Sequence, residues 1–182
     1  EDLKTLYAEK KHDIQAQLNE FEEVHQNADD RRIFEELTFC ILTSAVGPKV
    51  NAKSLEAIKD ILLEASAEDL EERHKGVNKY PEKAYYIVHT RDYLKSEYGL
   101  NLKSLINSFK DPLELREFFA LNKDVKGLGL TQASHFLRNI GIKGYAILDS
   151  NSEEKMKQFA NKLGIEVEKL DMLLWSTKTG HI

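Results

Sequence analysis

Apolar residues recur along this chain at a spacing close to 3.6 for nearly its whole length, and this one feature decides its fold class. Such a period turns the same face inward at every helical turn. The few β-branched residues form no alternating run of useful length, so the chain reads as all-α and needs no strand. Leu3, Leu6, Tyr7, Ile14, Leu18 and Phe21 mark an opening amphipathic helix with a charged outer face. Ile33 to Leu42 is apolar nearly all round, the pattern of a central, buried helix, and it stops before the breaker pair Gly47-Pro48. Leu55, Ile58 and Ile61 to Leu63 predict another helix, and Ser66 to Asp69 has the form of a capping box that starts the next. Gly76 and Pro81 bracket a connector, after which Lys83 to Tyr98 is a helix ended by Gly99. Asp111-Pro112 is an N-cap followed by Pro at the first helical position, opening a helix to about Asn122. Glu153 to Leu163, closed by Gly164, and Val167 to Thr177 complete the pattern, with no internal repeat.

A chain of 182 residues makes one ordinary domain, or two small ones sharing an interface. Its single cysteine, Cys40, excludes an internal disulfide framework and sits in the most apolar helix, where a buried free thiol is the ordinary reading. No Cys/His cluster has zinc-ligand spacing, and no P-loop, EF-hand or Ser/His/Asp set is present. There is no apolar run long enough for a membrane span and no charged-then-apolar leader. The chain is therefore expected to be intracellular, in the cytoplasm and nucleoid, and the missing Met at position 1 reads as a trimmed start.

A net charge of −5 argues at face value against nucleic acid, but its distribution reverses the argument. The stretch Glu1 to Glu36 holds eleven acids against five bases, so the other residues sum to +1. From Lys123 to Gly144 the bases Lys123, Lys126, Arg138 and Lys143 face one acid, Asp124.

Within that basic window lies the most informative stretch, Val125 to Asn139. A helix ends near Asn122, Gly127 and Gly129 make a tight turn, and a second helix begins at Leu130 with Ala133, Leu137 and Ile140 on its inner face. Two glycines one residue apart allow positive φ and let a phosphate approach the backbone. The amides behind Gly129 are then helix N-terminal donors. This is the helix-hairpin-helix pattern of sequence-independent DNA backbone binding. A glycine-linked hairpin with no ligand fits the same glycines, and the surrounding bases are what favour DNA.

Lys126-Gly-Leu-Gly129, the block Ala133 to Asn139 and Ala146-Ile-Leu-Asp149 resemble the type-2 8-oxoguanine DNA glycosylase/AP lyases. Those enzymes belong to the helix-hairpin-helix, Gly/Pro-rich-loop-and-Asp superfamily. Glu36 to Thr43, Lys79 to Lys83 and Leu170 to Trp175 extend the resemblance over nearly the whole chain. It implies an all-α fold of two interleaved subdomains with the active site in the cleft between them. One subdomain is expected at about 37–110 and the other at about 1–36 plus 111–182, with the hairpin at 115–140. The resemblance also implies a flipped-out base, since a glycosidic bond inside a stack is otherwise out of reach. The family's catalytic Asp falls on Asp149, eighteen residues after position 131, where a carboxylate stabilises the cationic sugar or activates a nucleophile. Read without the resemblance, Asp149 is equally a cap for the next helix. By the same carry-over Tyr80 and Trp175 stack on the flipped base, although residue type alone would make both core or interface aromatics. Lys126, Gly127, Gly129, Leu130 and Arg138 would meet the DNA backbone, Arg138 being equally suited to a structural salt bridge. His135 reads as a packing or hydrogen-bonding histidine. No cofactor is expected, with a monovalent cation at the hairpin as the one candidate, and no Cys cluster points to an iron–sulfur branch. The expected partner is double-stranded DNA containing oxidised guanine, met by a monomer.

The chain departs from the family where the nucleophilic Lys belongs, two residues after the second hairpin glycine, for that residue is Thr131. The interval Gly129 to Ala133 leaves no room for another register. Thr cannot form the imine that permits strand cleavage, so glycosylase activity with weak or absent lyase activity is expected, whether Thr131 is engineered or natural. Ser150-Asn151-Ser152 follows Asp149 where the family has a basic residue, His and a further helix; either a segment is deleted here or the numbering closes over omitted residues. Ser44-Ala45 replaces the family's Asn after Leu-Thr, and the chain stops at His181-Ile182 where family members end in Lys. Beyond Thr131, these three losses around one cleft keep a catalytically silent, lesion-binding homologue open beside the enzyme, and a plain helical interaction protein is the third reading.

Overall fold

The helix starts are encoded where Asp and Ser precede apolar runs. Asp29 stands before α2 (Asp30–Leu42) and accepts the N–H of Arg32 at 2.8 Å. Ser66 and Asp69 form a reciprocal capping box at the head of α4 (Ala67–His74). Asp111 accepts the N–H of Leu113 at 2.9 Å, and Pro112 opens α7 (Pro112–Leu121). A computed structural model describes residues 2–43, 48–146 and 150–179 of the chain. The remaining helices are α1 (Leu3–Asn27), α3 (Pro48–Ile58), α5 (Glu82–Tyr98), α6 (Leu102–Ser108), α8 (Leu130–Asn139), α9 (Ser150–Leu163) and α10 (Val167–Thr179). No strand occurs among the described residues, so the all-α expectation holds.

Two compact units divide the chain, Ala28–Phe136 and Glu1–Asn27 with Leu137–Ile182, and the division falls inside α8. The first is built round α2, whose Ile33, Phe34, Leu37, Cys40, Ile41 and Leu42 are all buried, and which packs on α3, α5 and α6. A helix apolar nearly all round has no face to give to water. The buried Glu35 on α2 is held by Arg31 at 3.3 Å, Lys59 at 3.5 Å and Arg32 at 3.6 Å. In the second unit α1 packs on α10, and α10 on α9. Ile14, Met172 and Leu173 form its apolar centre, with Leu3, Leu6, Tyr7 and Leu18 packed around them.

These boundaries differ from the sequence-based division near 37 and 110. All of α2 belongs with the helices that bury it, and Val125, Leu128 and Phe136 bring the hairpin into the same unit. A helix that periodicity did not mark, α6, buries Leu102, Leu105 and Ile106; seven residues with no side-chain cap are too short to show a period. Ile61 to Leu63 lie in turns after α3 rather than in a continued helix, with Ile61 N–H donating to the Ile58 carbonyl at 3.1 Å. Helix α9 begins three residues before the expected Glu153. Among the described residues no helix is long and apolar enough to cross a membrane, and no three His, Cys, Asp or Glu side chains gather as metal ligands.

Candidate functional site

The two helices of the hairpin are joined by aromatic packing and a polar clamp. Phe119 of α7 and Phe136 of α8, both fully buried, meet edge to face with ring centroids 5.1 Å apart. Beside them the buried Arg116 donates to the Ser134 hydroxyl at 3.3 Å, and that hydroxyl donates to the Leu130 carbonyl at 2.8 Å. The intervening loop is anchored by buried Val125 and Leu128. It is turned by Asn122, whose side-chain oxygen accepts the Asp124 N–H at 3.0 Å, and fastened by Lys126 N–H donating to Thr90 Oγ1 of α5 at 2.8 Å.

Gly127 has φ 80°, and a Cβ there would lie 2.9 Å from Ile41 Cγ2 and 3.0 Å from Tyr86 Cδ2. Conformation and space both require glycine. Gly129 differs from the sequence expectation, because its φ is not in the left-handed region and a Cβ would meet only the end of the Gln132 side chain, at 3.1 Å. Its role is that of an N-cap. The Gly129 carbonyl accepts from Ala133 N–H at 2.9 Å, and its own N–H donates to Gln132 Oε1 at 3.1 Å. A glycine here brings no side-chain acceptor to the first-turn amides of Leu130, Thr131 and Gln132, which leaves them suited to an anion. Thr131 is exposed on that first turn.

Two of the four bases in the basic window are engaged with carboxylates. Lys143 lies 3.8 Å from Glu22, and Arg138 Nη1 lies 2.9 Å from Asp171 Oδ2 while its guanidinium stands over the Phe21 ring. The other two, Lys123 and Lys126, sit in the loop that leads into the hairpin, where Asp124 is 3.5 Å from His89.

Tyr80 is half-buried on the connector between α4 and α5, set by an Asn78 side chain that accepts its N–H at 3.0 Å. Trp175 lies on α10 and is 60% exposed. Asp149 lies outside the described residues, as do Ser44-Ala45 and His181-Ile182. The structure thus gathers Lys126, Gly127, Gly129, Leu130 and Thr131 in one hairpin, with Tyr80 on a connector of the same unit and Arg138 and Trp175 in the other unit. Sequence reading missed Thr90, Gln132 and Lys83 as parts of its support. Lys83 is buried and donates to the Ile41 carbonyl at 2.9 Å, beneath the Tyr86 ring face, and burial pushes its amine below the ordinary lysine range. The one available signal for Lys83 was a lysine on the inner face of an apolar helix.

Residues 14–167 match the family model described as 8-oxoguanine DNA glycosylase. A Korarchaeum cryptofilum protein named 8-oxoguanine DNA glycosylase/AP lyase is 33% identical, covering 93% of this chain and 89% of its own length. A Methanocaldococcus jannaschii protein of the same name is 28% identical over 93% of this chain and 90% of its own. These alignments extend over 196 positions, more than the 182 residues here, so the relatives carry residues that this chain lacks. Among solved structures, the Methanocaldococcus jannaschii 8-oxoguanine glycosylase/lyase in complex with a 15mer DNA containing 8-oxoguanine superposes with a TM-score of 0.85 at 26% identity, covering 99% of this chain and 98% of that one. The 8-oxoguanine DNA glycosylase of Thermotoga maritima superposes with a TM-score of 0.80 at 28% identity, covering 96% of this chain and 93% of that one.

Proposed function

The chain belongs to the 8-oxoguanine DNA glycosylase family, and from that premise we propose that it is a base-excision enzyme that releases 8-oxoguanine from duplex DNA by hydrolysis, without the Schiff-base lyase step. The observation that carries the binding half is the hairpin: a glycine N-cap at Gly129, a positive-φ turn at Gly127 packed on Ile41 and Tyr86, and lysines at 123 and 126 on the way in. A phosphate seated there meets the first-turn amides of α8 and the positive end of its dipole. Binding of this kind ignores sequence and weakens with salt.

The chemical half rests on Thr131 and Asp149. An imine needs a primary amine whose nitrogen bonds to C1′ and then gives up its protons to form C=N, and the threonine side chain has no nitrogen to form that bond. Water therefore takes the nucleophile's place. Its oxygen bonds to C1′ as the C1′–N9 bond breaks, its proton passes to the Asp149 carboxylate, and the base leaves with the bonding electrons. The same carboxylate stabilises the cationic sugar, Thr131 orients the water, and Tyr80 and Trp175 stack on the displaced purine. The product is an abasic strand with its backbone intact. No cofactor takes part.

Thr131→Lys tests the assignment. On an 8-oxoguanine:C duplex the variant should gain borohydride-trappable covalent complex and strand cleavage that the parent lacks. Trapping by the parent itself would contradict the hydrolytic reading. Lesion binding without base release from either protein would favour the catalytically silent homologue, which the altered Ser150 to Ser152 segment makes the second reading.

A further inference from the structure

We propose that Arg138 is a positioning residue for Trp175, acting through Asp171, and that it does not serve as a phosphate contact; the inference rests on the base-stacking role assigned to Trp175 above. The Arg138 and Asp171 side chains are 13% and 10% exposed, and their charged atoms are 2.9 Å apart. Phe21 of α1 lies against the guanidinium, 5.8 Å from ring centroid to Cζ. A guanidinium so placed is committed on two sides. Turning it outward to a phosphate would take from the Asp171 carboxylate a charge-assisted partner in a poorly solvated place, which is costly.

What the pair does follows from where Asp171 stands. Asp171 precedes Trp175 by four residues on α10, one helical turn on the same face. At its first turn Glu168 accepts the Gly144 N–H, and around Asp171 the helix is held by apolar burial: Leu170 and Leu173 are fully buried, and Met172 and Leu173 pack against Ile14 among the α1 residues. Such contacts are non-directional and tolerate small rotations or slides of a helix. A charge-assisted bond to a planar guanidinium does not. The Arg138–Asp171 pair is therefore a directional contact that fixes the rotation of α10 one turn before Trp175, which is 60% exposed and whose aim depends on that rotation.

Trp175 is the chain's only tryptophan, so its fluorescence reports the position directly. The test compares the parent with Arg138→Lys, Asp171→Asn and Trp175→Ala, the first two keeping side-chain bulk so that α10 stays packed. Affinity is measured for an 8-oxoguanine:C duplex and for the undamaged duplex across a salt series, together with Trp175 emission and acrylamide quenching. The expected result for Arg138→Lys and Asp171→Asn is a lesion preference lowered about tenfold, undamaged-duplex affinity within about twofold of the parent, an unchanged salt slope and a shifted Trp175 emission. Equal losses on both duplexes, with a salt slope smaller by about 0.9 in a further, charge-removing Arg138→Gln variant, would make Arg138 a phosphate contact and overturn the proposal. Unchanged lesion preference in these variants, with preference lost in Trp175→Ala, would overturn it while leaving the base-stacking role standing. Unchanged preference in Trp175→Ala would overturn both, and the fault would lie with the stacking role.

Discussion

Thr90 Oγ1 on α5 accepts the backbone N–H of Lys126 at 2.8 Å, so the loop that presents the hairpin glycines is tied to a helix 36 residues earlier in the chain. Thr90 is fully buried. Thr90→Val keeps the shape and removes the acceptor, leaving a half-buried N–H without it, which costs about 1 kcal/mol. Urea unfolding should show that loss, and duplex affinity at fixed salt should fall with it as the loop loses its tether. Full stability in Thr90→Val would show that the bond is not structural.

The two hairpin glycines should separate by what their replacement damages. Gly127→Ala meets positive φ and the Ile41 and Tyr86 side chains together, and should cost about 2 kcal/mol or more of stability. Gly129→Ala meets only Gln132 and a poorer N-cap, and should cost about 1 kcal/mol or less. Its larger effect should be on DNA affinity, because the added methyl stands beside the amides a phosphate would approach. Paired denaturation and binding curves check both; equal destabilisation by the two variants would refute the distinction.

His74, in the last turn of α4, is 3% exposed, and burial holds its ring below the ordinary histidine value of 6.5. The folded state keeps the ring neutral while the unfolded chain takes up a proton below about pH 6.5, so the unfolded state binds more protons there. Stability contributed by the neutral ring is complete above that pH. It falls as pH drops through 6.5 toward the depressed folded value, by at most about 1.4 kcal/mol per pH unit. In His74→Gln this part of the slope should vanish from urea midpoints measured between pH 5 and 7. An identical slope in the variant would assign the pH dependence elsewhere.

How far the fold could be read beforehand varies with the kind of signal. Ser66, Asp111 and Gly99 announced helix ends, because capping is a local interaction written in two to four adjacent residues. The buried face of α2 was legible for a related reason, as its period persists over three turns. Helix α6 was not, being too short for a period and lacking a side-chain cap. The hairpin was found from its glycines, yet the division of labour between Gly127 and Gly129 depends on Ile41 and Tyr86, which are distant in sequence. Arg138 shows the same limit. From residue type alone it suits a phosphate or a salt bridge equally, and only the fold brings it to a carboxylate 33 residues onward.

The most direct test of the account is single-turnover reaction of the unaltered chain with a duplex carrying 8-oxoguanine opposite cytosine. Free base and strand integrity are followed separately, the second with and without alkali. The account predicts release of 8-oxoguanine with a strand that breaks only after alkali and with no borohydride-trapped complex. Strand cleavage without alkali, accompanied by trapping, would contradict the role given to Thr131, and absence of base release would contradict the assignment as a working glycosylase.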